Sequence, residues 1–330
     1  MSSSDDSTRR AAWSAYWSSG RMHSCATSYG NNYGGAIAGF WRGFFGRFPP
    51  SGRLLDLATG NGPLPHMLWE LRKDAADIDA VDLAELAPAW HEPSLHGGVR
   101  FHSAVRIEAL PFADASFDGV VSQFGFEYAD RARALAECQR VARPQAHIAF
   151  VMHHAGSVLV KVGREELGHH ARLVAEDGLM HAAHDAIPWI AQARSGVPAS
   201  DPVAASRARD CYNHAMEALA AAAHASLAPD LLLEAREEVH RLLASVRAGN
   251  AASVLADLDA YRGELERGRL RTAEMVSHAL DRSQVEQLRE QLQSARPGSS
   301  VECRELSQSE GVLAWSLVST PSGSPATGDV

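Results

Sequence analysis

Apolar residues come in short solid runs along the first half of the chain and in helical stripes along much of the second. The runs, bounded by turn-forming residues, predict buried strands at 53–58, 78–82, 99–103, 118–123 and 147–152. Periodic stretches between them predict helices, one through Leu64, Met67, Leu68 and Leu71, another through Ala134, Leu135 and Val141. Strand and helix units alternating at this size imply right-handed crossovers and an α/β, Rossmann-like sheet that is mostly parallel, with helices on both faces. Ligands of such sheets collect at the carboxyl ends of the strands, near the point where the winding reverses.

The alternation then stops. From 157 to 280 only helices are expected, at 162–175, 187–194, 201–226, 229–248 and 254–280, two of them opened by proline at Pro202 and Pro229. A last helix at 283–295, begun by the capping-box pattern Ser283-Gln-Val-Glu286, leads into a strand hairpin at 301–306 and 311–319. The expected organisation is a seven-stranded core formed by 51–156 and 282–320, closed by that antiparallel hairpin. A helical cap, 157–281, is inserted after strand five. Residues 1–50 form an N-terminal tail and aromatic-rich helices, with roughly the first ten disordered, and 321–330 form a second disordered tail. The stripe Leu231, Leu232, Ala235, Val239, Leu242 and Leu243 predicts helix packing, and a homodimer interface through the insertion is its alternative use.

A formal net charge of -9 argues against a nucleic-acid partner, because phosphate-backbone binding needs clustered Lys and Arg. Cys25, Cys138, Cys211 and Cys303 lie far apart without a CxxC pair, which suits a reducing cytoplasm and no disulfide framework. No apolar run approaches bilayer length, so no membrane association is expected. His181 and His184 share a helical face and His169 and His170 are adjacent, but no third ligand is in view and no metal is expected.

Chemistry concentrates where the first strand ends. In Asp56-Leu-Ala-Thr-Gly-Asn-Gly62 the small residues Ala58, Gly60 and Gly62, with Thr59, allow a sharp strand-to-helix turn and close approach of a ligand to the main chain. Asp56 can hold that turn or, through water, face a ligand's ammonium group. Asp82, twenty residues after Gly62 and at the end of the second strand, stands where a carboxylate accepts both hydrogen bonds of a ribose diol. A dinucleotide fingerprint would want glycine or alanine at position 65, which is Pro65.

With Leu110-Pro-Phe112, Ser116-Phe-Asp-Gly-Val-Val-Ser122 and the terminal hairpin, these motifs make the chain similar to the class I S-adenosylmethionine-dependent methyltransferases, in the branch of the ubiquinone/menaquinone C-methyltransferases. The resemblance covers 51 to about 156 and 283–319. It implies that Ala58, Thr59, Gly60 and Gly62 lie against the methionine part of S-adenosylmethionine, that Asp82 takes the ribose hydroxyls and that Leu83 flanks the adenine. Family members carry Asp-Ala four and three residues before Leu-Pro-Phe, the carboxylate accepting from the adenine amino group; here those positions are Arg106 and Ile107. Arg106 cannot accept a hydrogen bond, whereas the Ile107 N–H and side chain can still meet the ring.

The segment after strand four, with Gln123, Phe124, Phe126, Glu127 and Tyr128, mixes amide, aromatic and carboxylate groups, which suits holding a cation and orienting a partner. Gln123 and Phe124 fall to the cofactor side; Phe126 and Tyr128, with Tyr29, Asn32 and Tyr33 of the glycine-rich loop before the sheet, fall to the acceptor side. For a hydroxyl acceptor a general base is needed, and His154 at the end of strand five is the first candidate, with His153 and Glu127 as alternates. The function expected is methyl transfer to oxygen, nitrogen or carbon of a small-molecule acceptor. The alternatives are a non-catalytic cofactor-binding or scaffold protein and a protein methyltransferase.

Overall fold

The computed structural model describes residues 3–24 and 31–322. Strands β1 (Arg53–Leu57), β2 (Asp77–Val81), β3 (Val99–His102), β4 (Phe117–Gln123) and β5 (Ala142–His153) run parallel. The antiparallel pair β6 (Ser299–Gln308) and β7 (Gly311–Pro321) completes a seven-stranded sheet of order β3-β2-β1-β4-β5-β7-β6. The winding runs outward from β1 through β3 and then restarts on the other side of β1 with β4. That reversal opens a crevice beyond the carboxyl ends of β1 and β4, where a ligand can enter without displacing a crossover helix.

Both faces of the sheet are covered, and the period-two alternation of the strands divides the core. Leu55, Leu57, Val120, Ile148, Phe150 and Met152 point to the face packed by α4 (Arg131–Val141) and α10 (Arg282–Ala295). Leu54, Val121, Ala149 and Val151 point to the face packed by α2 (Gly35–Arg47) and α3 (Pro63–Arg72). The aromatic stretch before the sheet fills this second face: Trp41, Phe44, Phe45 and Phe48 are all buried. Burying each such ring contributes on the order of 2–3 kcal/mol. Phe126 belongs to the first face, fully buried and stacked on Phe150 at 4.2 Å.

Two details differ from expectation. The first residues of the chain are helical, α1 covering Ser3–Trp17. Its sequence has no strong apolar stripe, and three of its charged side chains find partners distant in the chain: Asp6 pairs with Arg106, Arg9 with Glu274 and Arg10 with Glu85. Periodicity along a segment cannot reveal such long-range partners. Helix α10 starts one residue early, at Arg282, because its cap is Asp281, which accepts from the Gln284 N–H at 2.8 Å while Gln284 accepts from the Asp281 N–H at 3.0 Å. This capping box prevails over the overlapping Ser283–Glu286 pattern.

The chain divides into two compact units, 1–160 with 274–330, and 161–273. The second is all helical, made of most of α5 (Val158–Val174), α6 (Leu179–Arg194), α7 (Pro202–Ala225), α8 (Asp230–Ser245) and most of α9 (Ala251–His278). The α8 stripe Leu232, Ala235, Val239, Leu242 and Leu243 is buried in this unit's own core, against residues such as Leu179, Ile187, Leu219 and Leu258. Its histidines make local contacts, His169 with the Ser226 hydroxyl at 2.9 Å and His181 with the Ala175 carbonyl at 2.9 Å. Among the described residues no three His, Cys, Asp or Glu side chains converge as a metal site, and no helix is long and apolar enough to cross a membrane.

The reversal point is tightly packed. Ala58 after β1 and Phe124 after β4 both adopt left-handed backbone, φ 51° and 54°. A Cβ on Gly125 would lie 2.3 Å from that of Ala58. Non-glycine residues in this region store on the order of 1–3 kcal/mol of strain, which persists only where the surroundings impose it. Gly125→Ala is expected to destabilise the protein by about 1–3 kcal/mol through overpacking. Adding Ala58→Gly removes the colliding methyl and is expected to restore most of the loss. Urea unfolding of the two variants checks this; equal destabilisation in both would remove the contact from the reasoning.

Candidate functional site

The turn after β1 is built from the backbone outward. Thr59 donates its N–H to Val81 O at 3.0 Å and Gly62 donates to Thr59 O at 3.0 Å, while Gly60 and Gly62 take positive φ of 55° and 75°. Pro63 then occupies the first turn of α3, where a missing N–H costs nothing. The open sides of the two glycines are filled by the chain itself. A Cβ on Gly60 would meet the Trp17 ring at 2.5 Å, and one on Gly62 the Phe101 ring at 2.5 Å. The turn therefore presents Ala58 and Thr59 to the crevice, and its glycines serve conformation and aromatic packing.

The crevice encloses about 930 Å3 between its walls, open solvent at the mouth included. One end is formed by Asp82, Leu83 and Ala84 after β2 and by Arg106, Ile107 and Glu108 after β3. The other holds Tyr33, Gln123, Phe124 and Tyr128, joined by His23, which the sequence reading missed. Asp56 and Thr59 lie on the wall contributed by β1 and its turn. The remaining wall comes from α1, with Asp6, Arg9, Arg10, Trp13 and Trp17. Asn61 ties that helix to the turn, donating to Trp17 O at 2.9 Å and Arg21 O at 2.7 Å.

Two buried carboxylates dominate the electrostatics. Asp56 is 1% exposed and neither oxygen has a hydrogen-bond partner. Burial pushes its carboxyl up to about 8; the nearby Thr59 hydroxyl opposes this without completing a well-formed hydrogen bond, and the charge of Asp82 adds to it. Asp82 is raised less, to about 6, again by burial, because backbone N–H groups of Ala84, Gly60 and Leu83 stabilise its charge. Its oxygens accept from Gly60 N–H and Ala84 N–H, each at 2.8 Å. A carboxylate offers about four acceptor sites, so roughly two remain for a ligand. An unpartnered buried carboxylate suits a cationic amino group, and a half-occupied one beside it suits a pair of hydroxyls. The crevice thus fits a ligand that carries both.

The aromatic end is equally specific. Gln123 accepts the indole N–H of Trp41 at 2.5 Å. Indole nitrogen only donates, which fixes the amide with its NH2 turned the other way, buried and without a partner. His23 stacks on Tyr33 at 4.3 Å, and burial holds it neutral, its pKa lowered to about 4 against an opposing hydrogen bond to the Asn32 backbone. Phe124 stacks on His153 at 4.1 Å, and Tyr128 meets the same ring edge-on at 5.9 Å. His153 and Glu127 form a buried pair, imidazole Nδ1 to carboxylate at 2.7 Å, with the His153 N–H donating to the same oxygen at 2.9 Å.

His154 points elsewhere. Its ring lies 4.4 Å from that of Trp315, accepts from Gly156 N–H at 2.9 Å and comes within 3.7 Å of Glu305. Strand alternation sends adjacent side chains to opposite faces, and His153 packs against the crevice residues Phe124 and Tyr128, while neither histidine nor Glu127 is itself among the lining residues. Phe126 sits in the core beneath, away from the lining. Asn32 bridges the loop to α3, donating to Pro63 O at 2.7 Å and accepting from Tyr33 N–H at 2.7 Å. Tyr29 lies outside the described residues.

Residues 55–150, which include β2, β3 and β4 and most of β1 and β5, match the methyltransferase domain family. The demethylmenaquinone methyltransferase of Thermus thermophilus is 45% identical over 96 residues, 28% of this chain and 43% of that protein. The malonyl-[acyl-carrier protein] O-methyltransferase of Methylococcus capsulatus is 37% identical over 107 residues, 31% of this chain and 38% of that protein. The ubiquinone/menaquinone biosynthesis C-methyltransferase UbiE of Geotalea daltonii is 29% identical over 110 residues, 32% of this chain and 47% of that protein. The chain spans less than half the length of these curated relatives. Residues 55–150 are therefore similar to the methyltransferase domain family, and they carry the strands that frame the reversal-point crevice.

Proposed function

We propose that this protein transfers a methyl group from S-adenosylmethionine to a small-molecule acceptor. The observation that carries the reading is Asp56, a fully buried carboxylate with both oxygens unpartnered, on the wall of a crevice that Asp82 shares. In this reading Asp56 and Thr59 receive the amino end of the cofactor, Asp82 accepts from its ribose hydroxyls, and Leu83 and Ile107 flank its base. When bound, the cofactor supplies an electrophilic methyl group on a sulfonium. The protein's part is then to hold the acceptor in line, exclude water and, for a hydroxyl acceptor, take up a proton.

The acceptor end supports an oxygen-bearing molecule. The Gln123 NH2 is a buried donor lacking an acceptor, and a carbonyl, phenolic or carboxylate oxygen would satisfy it. Tyr33, His23, Phe124 and Tyr128 offer ring faces to a flat or apolar body. Relatives named for C- and for O-methylation leave the receiving atom to be decided by the acceptor itself.

The Asp56 carboxyl makes cofactor binding pH-dependent. Raised by burial to about 8, it holds a proton in the ligand-free protein below that pH. A bound cation favours the ionised form, so binding expels the proton. Affinity is expected to rise with pH, approaching about tenfold per unit below the Asp56 pKa, and to level off above it. The same shift makes the ligand-free protein lose stability as pH rises from the usual carboxylate range through about 8, since the folded state holds this proton more tightly than the unfolded state. Calorimetric titration with S-adenosylhomocysteine in buffers of different ionisation enthalpy measures the released proton. Asp56→Asn is expected to abolish the release and weaken binding about tenfold or more at high pH. A variant that releases the same proton count would move the titration to another group.

For a hydroxyl acceptor, we assign the base to His153, oriented by Glu127 through Nδ1 so that Nε2 is the nitrogen left to take a proton. His153→Ala is expected to lower turnover about a hundredfold or more with cofactor affinity unchanged. Glu127→Gln is expected to shift the pH profile more than the cofactor affinity. His154→Ala, altering the ring beside Trp315, is expected to stay within a few fold of the parent enzyme. Loss of activity in the His154 variant alone would reverse the assignment.

A further inference from the structure

The base end of the crevice poses a chemical problem. Adenine presents an amino group that must donate, and the nearest polar side chain after β3, Arg106, is donor-only. Among the described residues lining the crevice, the acidic side chains are Asp56, Asp82, Asp6 and Glu108. The first two lie at the ends of β1 and β2, on the amino-group and ribose side. Glu108 is anchored through Oε1 to the backbone N–H of Asp130 at 3.0 Å, on the segment after β4, and lies 3.5 Å from Arg106, so it is the carboxylate the test must separate from Asp6. Asp6 comes from α1 and is ion-paired to Arg106 through one carboxylate oxygen, Oδ2.

We infer that Asp6 is the residue that recognises the adenine amino group, so that a carboxylate delivered by α1 and clamped by Arg106 reads the base. This rests on the crevice being the S-adenosylmethionine site. Arg106 turns its charge into the means of holding Asp6 at the crevice wall, a charge-assisted pair that leaves Oδ1 for the ligand. Leu83, Ala84 and Ile107 provide the apolar walls between which a flat base fits. The helix carrying Asp6 is fastened at two further points, Arg10 to Glu85 and Arg9 to Glu274, while Trp17 covers Gly60. A ligand that reaches Asp6 therefore also secures α1 against the core.

The test compares S-adenosylhomocysteine with S-inosylhomocysteine, in which an oxygen replaces the amino group of the base. The parent protein is expected to prefer the adenosyl compound about tenfold or more, because an oxygen facing a carboxylate leaves both without a donor. Asp6→Ala is expected to bring the two affinities within about twofold, and Asp6→Asn, whose amide both donates and accepts, to do likewise while keeping the side chain's shape. Hydrogen exchange of the parent gives a second readout, with α1 amides protected more by the adenosyl than by the inosyl compound. Binding of neither compound by the parent would overturn the cofactor site itself. Adenosyl binding with no preference, or a preference that survives Asp6→Asn and disappears only in Glu108→Gln, would overturn the role of Asp6.

Discussion

A carboxylate buried without a partner is costly to ionise, and the candidate site is arranged around one. Asp56 interrupts the apolar strand Leu54, Leu55, Leu57, is 1% exposed, and finds no donor for either oxygen. The neighbouring carboxylate, Asp82, is equally enclosed but is held by backbone N–H groups from its own turn and from Gly60, which accounts for its smaller displacement. Asp82 is stabilised by the fold, and Asp56 is the one that the proposed reading pairs with the ligand's ammonium group. Maintaining such a group is reasonable where a ligand supplies the missing charge, and binding then recovers stability lost in the ligand-free protein.

The sheet makes that arrangement possible. Restarting the winding at β4 leaves the carboxyl ends of β1 and β4 side by side without a crossover above them, and the tight Ala58–Gly125 approach brings the two turns together. Strain held in Ala58 and Phe124 sits where the crevice needs both the turn backbone and the Phe124 ring. Helix α1 supplies the remaining wall, attached through ion pairs and tryptophans and without an extensive apolar face of its own.

Much of this was legible in the sequence. The five parallel strands, the closing hairpin and the helical insertion follow from solid apolar runs giving way to stripes, and Asp56, Ala58, Asp82, Gln123 and Phe124 all meet at one crevice. What escaped depends on partners distant in the chain or on which way a side chain faces. Nothing local in the first turns of α1, up to about residue 10, announces a helix, because Arg106, Glu85 and Glu274 hold them. Ala58 takes a φ of 51°, a left-handed conformation that an alanine in the sequence does not announce. Gly60 and Gly62 signal a turn, yet only the folded chain reveals that Trp17 and Phe101 occupy their open sides. His153 and His154 are equivalent in sequence, and the registry of β5 separates them, one toward Glu127 and Phe124, the other toward Trp315.

The central claim is that the crevice at the β1–β4 reversal is an S-adenosylmethionine site. Its most direct test is the crystal structure of the protein grown with S-adenosylhomocysteine. The expected result is density for the ligand in the crevice, its amino group toward Asp56 and its ribose hydroxyls on Asp82, at the distances of charge-assisted hydrogen bonds. An empty crevice under saturating ligand, or the ligand bound elsewhere with Asp56 still unpartnered, would contradict it.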